Sequence, residues 1–320
     1  MSAAGPGGAR EAEAEVEVVR AGALTTVQDL GRPGHAHLGV PRSGALDEPA
    51  HRLANRLVGN RPHAATLETT LTGCAVRVRR AVTVAVTGAP SPVTVGGRPA
   101  AWGAAVHVPA GAVVEVGRAA AGLRAYLAFA GGIEVEPVLG SRATDLLSGL
   151  GPSPLADGAV LPVGAPHGRP ADADTAVWRG PARELVLPVA LGPRDDWFTA
   201  AALRTLATGR FTVSPAGNRI GLRTHGPALE RARGGELPSE GMVLGAVQVP
   251  PDGRPVVFLA DHPTTGGYPV VGVVPARALA AAAQAVPGTP VRFVPFRPRT
   301  AAVRRPVVPD GTRPPGGYGG

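Results

Sequence analysis

The segment DHPTTGGYP, residues 261–269, concentrates several groups that do chemistry. Asp261 and His262 lead into two hydroxyls, Thr264 and Thr265, and then into Gly266 and Gly267, whose amides no side chain screens. Amides and hydroxyls that converge in this way can wrap a phosphate or another oxyanion. Tyr268 adds a phenol that could close over such a ligand. A tight turn, with the threonines bonding their own backbone, fits the same spacing.

Two neighbouring stretches carry further candidates. SEGMVLGAVQVP at 239–250 sets Ser239 and Glu240 ahead of an apolar run that contains Gln248. A glutamine in such a run either faces solvent or points at a site. GNRIGLR at 217–223 supplies Asn218, Arg219 and Arg223. The two arginines have the same parity and so share one face of an expected strand. There they could clamp a carboxylate or phosphate in two-pronged fashion. The plainer alternative is two solvated arginines, paired with Glu230 or Glu240.

In the first half, TVQDLGRPG (26–34) and GVPRSGALD (39–47) form a long polar stretch containing Asp29, Arg32, Ser43 and Asp47. Loops of this length that are not low in complexity are often functional, although Asp29 and Asp47 also suit turn and helix caps. His51 and Asn55 fall four apart on an expected helix. Glu68 stands among threonines and leucines and needs a cation, for which Arg52 or Arg56 is the expected partner. His35 and His37 lack a third ligand, so no metal site is expected there. Cys74 reads as buried filler.

The elements that must position these groups are mostly strands. Of 320 residues, 45 are Gly and 35 are Pro, twice the usual share. Helix interiors tolerate neither well, while 44% hydrophobic residues in recurring valine-rich runs argue against wholesale disorder. The spacing predicts helices over 46–58, capped by Asp47, over 197–206, capped by Asp195 or Asp196, and over 276–285. Short alternating runs between turns predict many strands in a barrel or sandwich. The expected organisation is a flexible segment 1–12, a β-rich subdomain 13–164 and a linker 165–178. A second β-rich subdomain follows over 179–297, then a disordered Arg/Pro/Gly tail over 298–320.

Absences narrow the chemistry further. All 32 basic residues are arginine. A P-loop lysine, a Schiff-base lysine and a biotinyl-lysine are therefore excluded within these residues, since each needs a primary amine. With one cysteine there is no disulfide framework. No apolar run approaches the length of a membrane span and no secretory pattern opens the chain, so a cytoplasmic protein is expected. The net charge is +8, half of it from Arg297 onward, and only 4% of residues are aromatic. Nucleic-acid binding is not expected from that pattern. The phosphate-binding and nucleophile motifs GxGxxG, GxSxG, HExxH and SxxK are absent.

Taken together, TVQDLGRPG, GVPRSGALD, RLANRLVGN (52–60), AYLAFAGGI (125–133), GPRDDWFT (192–199), SEGMVLGAVQVP and DHPTTGGYP resemble one family. It is the biotin-dependent carboxyltransferase-like group, which includes allophanate hydrolase subunit 2, KipA and the 5-oxoprolinase component PxpC. The resemblance covers roughly residues 16–297. It implies a mainly β fold of two barrel-like subdomains, the C-terminal one cyclophilin-like. It also implies assembly with a KipI-like (PxpB) subunit and a LamB/YcsF-like (PxpA) subunit to open 5-oxoproline to glutamate, using ATP with Mg²⁺. Relatives within urea carboxylase move a carboxyl group from carboxybiotin to urea, and here the biotin would have to ride on another chain. A third use is KipA-type antagonism of a histidine-kinase inhibitor.

The first of these implied activities suits the candidate residues. Phosphorylating the lactam carbonyl oxygen turns it into a leaving group, so that water can open the ring. That scheme asks for cations on phosphate, a carboxylate for Mg²⁺ or proton transfer, and donors for oxyanions. Asp29, Glu240 and Asp261 are the carboxylate candidates. Arg32, Arg219 and Arg223 are the clamp, and Ser43, Asn218, Gln248 and Thr264 to Tyr268 complete the expected binding set. The chain departs from the family at Val270, where some relatives carry a basic residue just after GGYP.

Overall fold

Alternation of apolar and polar residues turns into strands along most of the chain. The computed structural model describes residues 14–297, apart from 172–175, 177–179 and 236. The expected flexible segment 1–12, the tail 298–320 and part of the expected linker lie outside the described residues.

The first half runs β1 (Ala14–Arg20), β2 (Thr25–Gln28), α1 (Glu48–Leu57), β3 (Thr66–Thr70), β4 (Cys74–Val78), β5 (Val82–Gly88) and β6 (Val93–Val95). It continues with β7 (Arg98–Ala100), β8 (Ala105–Val108), β9 (Val113–Val116), β10 (Arg124–Phe129) and β11 (Val160–Val163). These strands form two sheets, ordered β11-β1-β4-β9-β6-β7 and β2-β3-β10-β5-β8. The sheets share one core, in which Val16, Val76 and Val114 of the first meet Leu67, Val86 and Leu127 of the second.

Strand β10 shows how period two builds three layers. Ala125, Leu127 and Phe129 point into the inter-sheet core, while Tyr126, Ala128 and Ala130 point the other way, onto Ala50, Ala54 and Leu57 of α1. Helix α1 therefore packs on the outer face of the second sheet. Its Pro49 sits in the first turn and the Asp47 carboxylate accepts from the Ala50 N–H, as the sequence predicts. Cys74 is fully buried, and burial pushes its thiol up to about 11.

The second half comprises β12 (Leu185–Leu191), α2 (Ala200–Thr208), β13 (Phe211–Val213), β14 (Gly221–His225), β15 (Glu240–Gly241) and β16 (Ala246–Gln248). After these come β17 (Val256–Phe258), β18 (Thr265–Gly266), β19 (Val270–Val273), α3 (Ala276–Ala283) and β20 (Pro290–Phe296). Seven strands close a barrel in the order β12-β19-β16-β17-β14-β13-β20, and the parallel pairing of β20 with β12 shuts it. Its core holds Leu187, Val247, Val257 and the edge-to-face pair Phe211–Phe293, with ring centroids 5.3 Å apart. Helix α2 starts later than predicted. Thr199, not Asp195 or Asp196, caps it by accepting from the Ala202 N–H, because Asp195–Trp197 forms a separate 3₁₀ turn. The fold is thus mostly β with three helices among the described residues. No helix among them is long and apolar enough to cross a membrane.

Candidate functional site

The halves meet along the stretch from Leu30 to Asp47. This loop crosses itself closely: a Cβ on Gly31 would lie 2.4 Å from the Arg42 carbonyl, and one on Gly44 would lie 2.7 Å from the Gly31 nitrogen. Both glycines have positive φ, so side chains are excluded by space and by backbone. Ser43 between them also takes positive φ, +53°, without being glycine. Its N–H donates to the Ala260 carbonyl of the barrel half at 3.0 Å. Leu46 completes the junction by packing into the barrel's own core cluster.

Beneath the loop lies a sealed polar network drawn from both halves. Arg219 donates twice to Asp261, from Nε to Oδ2 at 2.9 Å and from Nη2 to Oδ1 at 3.0 Å. It also bonds Glu68 through Nη1 and the Gly44 carbonyl through Nη2. Glu68, Arg219 and Asp261 are each at most 2% exposed. Ser43 Oγ lies 2.7 Å from Asp261 Oδ1 and 3.0 Å from the Thr144 carbonyl, so one hydroxyl proton faces two acceptors. Glu68 Oε2 accepts from the Leu46 N–H at 3.0 Å and from the Tyr126 hydroxyl at 2.7 Å.

The electrostatics follow from this pairing. Burial alone would raise the Glu68 carboxyl, but Arg219 and Arg124 hold it below the usual carboxylate range. Burial likewise works against a charged Arg219, yet Glu68 and Asp261 raise its pKa above the ordinary arginine value. The expected partners Arg52 and Arg56 for Glu68 are replaced by Arg219 and Arg124, because β3 turns Glu68 toward the barrel and not toward the solvent side of α1. The expectation that Arg219 and Arg223 share a strand face also changes. Strand β14 begins at Gly221, so Arg219 precedes it and turns inward, while Arg223 is exposed on the strand.

The other candidates have partners of their own. Asp29 accepts from the Gly31 N–H, the Ser141 hydroxyl and the Arg142 N–H at 2.6–2.7 Å. Arg32, 1% exposed, donates to the Val138 and Ala143 carbonyls. Asn218 accepts from the Ile220 and Gly221 amides in an Asx turn. Glu240 is bonded to Arg194 through both nitrogens of one guanidinium edge, and this pairing lowers its pKa. It pairs along the backbone with Gly266, since β15 and β18 form a two-stranded sheet outside the barrel.

Gln248 is buried under that small sheet and donates to the Tyr268 carbonyl at 3.3 Å. A Cβ on Gly266 would lie 2.8 Å from the Gln248 amide nitrogen, so this glycine serves close packing. Thr265 and Tyr268 are exposed, and Thr264 and Gly267 are partly buried. Val270 packs with Met242 and Phe258. The structure therefore brings Ser43, Arg219 and Asp261 together with Glu68. It sets Glu240 and Thr264 to Tyr268 apart on the outer sheet, and Asn218 and Arg223 at the surface.

Above Ser43 a cleft of about 610 Å³ opens between the halves. Leu30, Leu46, Leu53, Leu244, Leu259 and Leu279 supply apolar walls, while Arg42, Arg52, Arg56 and Arg277 line it with one acid, Glu48. Of these charged residues the sequence draws attention only to Arg52 and Arg56, as partners for Glu68. Their i, i+4 spacing on α1 is a legible signal. Arg277 carries none, because only packing of α3 against the first half brings it opposite.

Most of both halves and nearly the whole cleft fall within one family match. The family described as carboxyltransferase domain, subdomain A and B, matches residues 38–295. The chain belongs to this carboxyltransferase family. Among curated relatives, it is 37% identical to the C subunit of 5-oxoprolinase from Escherichia coli over 285 residues, 87% of this chain and 90% of that protein. It is 33% identical to the urea amidolyase of Lachancea kluyveri over 311 residues, 88% of this chain but only 17% of that protein. The crystal structure of TTHA0988 matches with TM-score 0.80 and 37% identity, covering 88% of this chain and 56% of that one. The chain thus spans most of the first carboxyltransferase relative and about half or less of the other two. Asp29 and Arg32 lie just ahead of the span matched to the carboxyltransferase family.

Proposed function

We propose that this chain is the C subunit of an ATP-dependent 5-oxoprolinase, which opens 5-oxo-L-proline to L-glutamate and works only in complex with PxpB-like and PxpA-like subunits. The observation that carries the reading is 37% identity reaching across 90% of the E. coli protein. The corresponding 5-oxoprolinase component from Haemophilus influenzae is 29% identical over 90% of its length.

ATP and Mg²⁺ belong to this reading for the assembled complex. No group of three or more His, Cys, Asp or Glu side chains among the described residues is placed to hold a metal. Asp29 and Asp261 are already taken up by internal donors and Glu240 by Arg194. Among the described residues Mg²⁺ therefore fits no carboxylate cluster, and no step is derived through it. On this reading Asp261, Arg219 and Glu68 act from beneath, holding the Ser43 loop and both halves in register. Asp29 and Arg32 hold the loop's outer arm to residues 138–143.

Identity of 33% to a urea amidolyase favours a second reading, carboxyl transfer from a biotin carrier on another chain to a urea-like amide. Co-expression with the two partner subunits separates the readings. Glutamate release from 5-oxoproline is expected to require ATP and to vanish when this chain is omitted. Turnover of a urea-like amide that depends on bicarbonate and a biotinylated carrier, with none on 5-oxoproline, would overturn the proposal.

A further inference from the structure

The inter-half cleft combines three properties that the network beneath it does not explain. The first is its charge. Four guanidiniums line it against one carboxylate. Glu48 is shared by Arg42 at 3.3 Å and Arg52 at 2.6 Å, so it neutralises one charge between two arginines. The guanidiniums of Arg56 and Arg277 make no hydrogen bond or ion pair with any described residue. They face the same space from opposite walls, one on α1 and one on α3.

The second is its lining. Apart from the charged residues, Ser43 and Pro49, the walls are leucine and alanine, an apolar surface beside the guanidiniums. The third is its construction. Ser43 in the floor is held at positive φ by the Ala260 carbonyl on one side, with Asp261 and the Thr144 carbonyl about its hydroxyl. Strained non-glycine backbone of this kind persists where surrounding bonds over-determine it. The volume falls in the range of about 300–1,000 Å³ typical of small-molecule sites, which favour domain junctions.

We infer that the cleft between α1 and α3 binds a small molecule that carries an oxyanion on an apolar body. The planar forks of Arg56 and Arg277 take the oxyanion, a carboxylate or a phosphate ester, from its two sides. Arg42 and Arg52, tied to Glu48, add field without being released from their partner. The leucine walls take the apolar body. The inference rests on the cleft alone, so it stands or falls separately from the 5-oxoprolinase reading.

The test is calorimetric titration of the full chain at low salt with phenyl phosphate, benzoate and the uncharged benzyl alcohol. Phenyl phosphate or benzoate is expected to bind saturably and benzyl alcohol not at all. The tighter of the two acids identifies the oxyanion as phosphate or carboxylate. The double variant Arg56→Ala/Arg277→Ala, which alters only exposed side chains, is expected to bind about tenfold more weakly or worse. The variant Arg118→Ala/Arg254→Ala removes the same charge outside the cleft and is expected to bind like the unaltered chain. Absence of saturable binding by either acid, or equal weakening in the two double variants, would overturn the inference.

Discussion

His51 lies wholly buried, with Nδ1 2.9 Å from Thr66 Oγ1 and Nε2 3.3 Å from the Asn55 amide nitrogen. That amide also donates to the Ala64 carbonyl, while its oxygen accepts from Asn60, so its orientation is settled by the network. Nε2 is then the acceptor and Nδ1 carries the proton toward Thr66. A second proton on Nε2 would face the Asn55 amide, donor against donor, and burial, which outweighs the opposing pull of Asp29 and the Pro62 carbonyl, pushes the imidazole down to about 4. The consequence is a pH dependence with a definite sign. Between about 6.5 and 4 the unfolded chain binds a proton that the folded chain refuses, so stability falls as pH falls. The loss approaches about 3 kcal/mol by pH 4 and is absent above the unfolded value. Urea midpoints at pH 7 and pH 4.5 check this. The His51→Gln variant is expected to lose less than the unaltered chain over that interval, and equal losses would refute the assignment.

Helix α1 is placed by its N-cap residue as much as by its apolar face. The Asp47 carboxylate caps the helix through Oδ1 and accepts from Gln284 Nε2 through Oδ2, at 3.1 and 2.7 Å. Gln284, at the end of α3, turns its oxygen to the Leu123 and Arg124 amides at the edge of β10. One carboxylate thus ties a helix of the first half to a helix of the second. Asp47→Ala is expected to cost about 2 kcal/mol, a lost cap plus a buried donor left without its acceptor. Asp47→Asn is expected to cost less. Its oxygen can still cap, but its amide then faces the Gln284 amide, donor against donor. Denaturant titration of the two variants gives the order, and a costlier Asn would refute this account.

At the scale of the molecule, the sandwich and the barrel are held together by charge buried between them. Removing one partner of such a network leaves the others uncompensated, which costs about 3–5 kcal/mol. Arg219→Met is expected to show that loss, since Asp261 loses both guanidinium bonds and Glu68 one. The triple variant Arg219→Met/Glu68→Gln/Asp261→Asn removes both carboxylates that the loss of Arg219 strands, at the expense of the Arg124–Glu68 pair, and is expected to recover part of the loss. If the triple variant is less stable than the single one, desolvation of unpaired charge is not what holds the junction.

Local features are legible in the residues themselves. Alternation announces the strands, Asp47 and Pro49 announce α1, and the motifs around Asp29, Ser43, Arg219 and Asp261 draw attention to the junction ahead of any fold. Those signals are short-range: backbone sterics, capping and period depend on neighbours within a turn or a strand. What each polar side chain meets is long-range. Arg219 and Glu68 are 151 residues apart in sequence, and Gln284 and Asp47 are 237. No spacing rule connects such pairs, so a motif that reads as a phosphate clamp is equally a buried ion network until packing decides. The residues themselves determined a strand-dense, lysine-free chain with its arginine and acid motifs. Only the tertiary structure decided that Arg219 and Asp261 face each other under the loop while Arg56 and Arg277 face open space above it. The physical reason is that burial, which separates a committed charge from an available one, is a property of the closed junction and not of any segment.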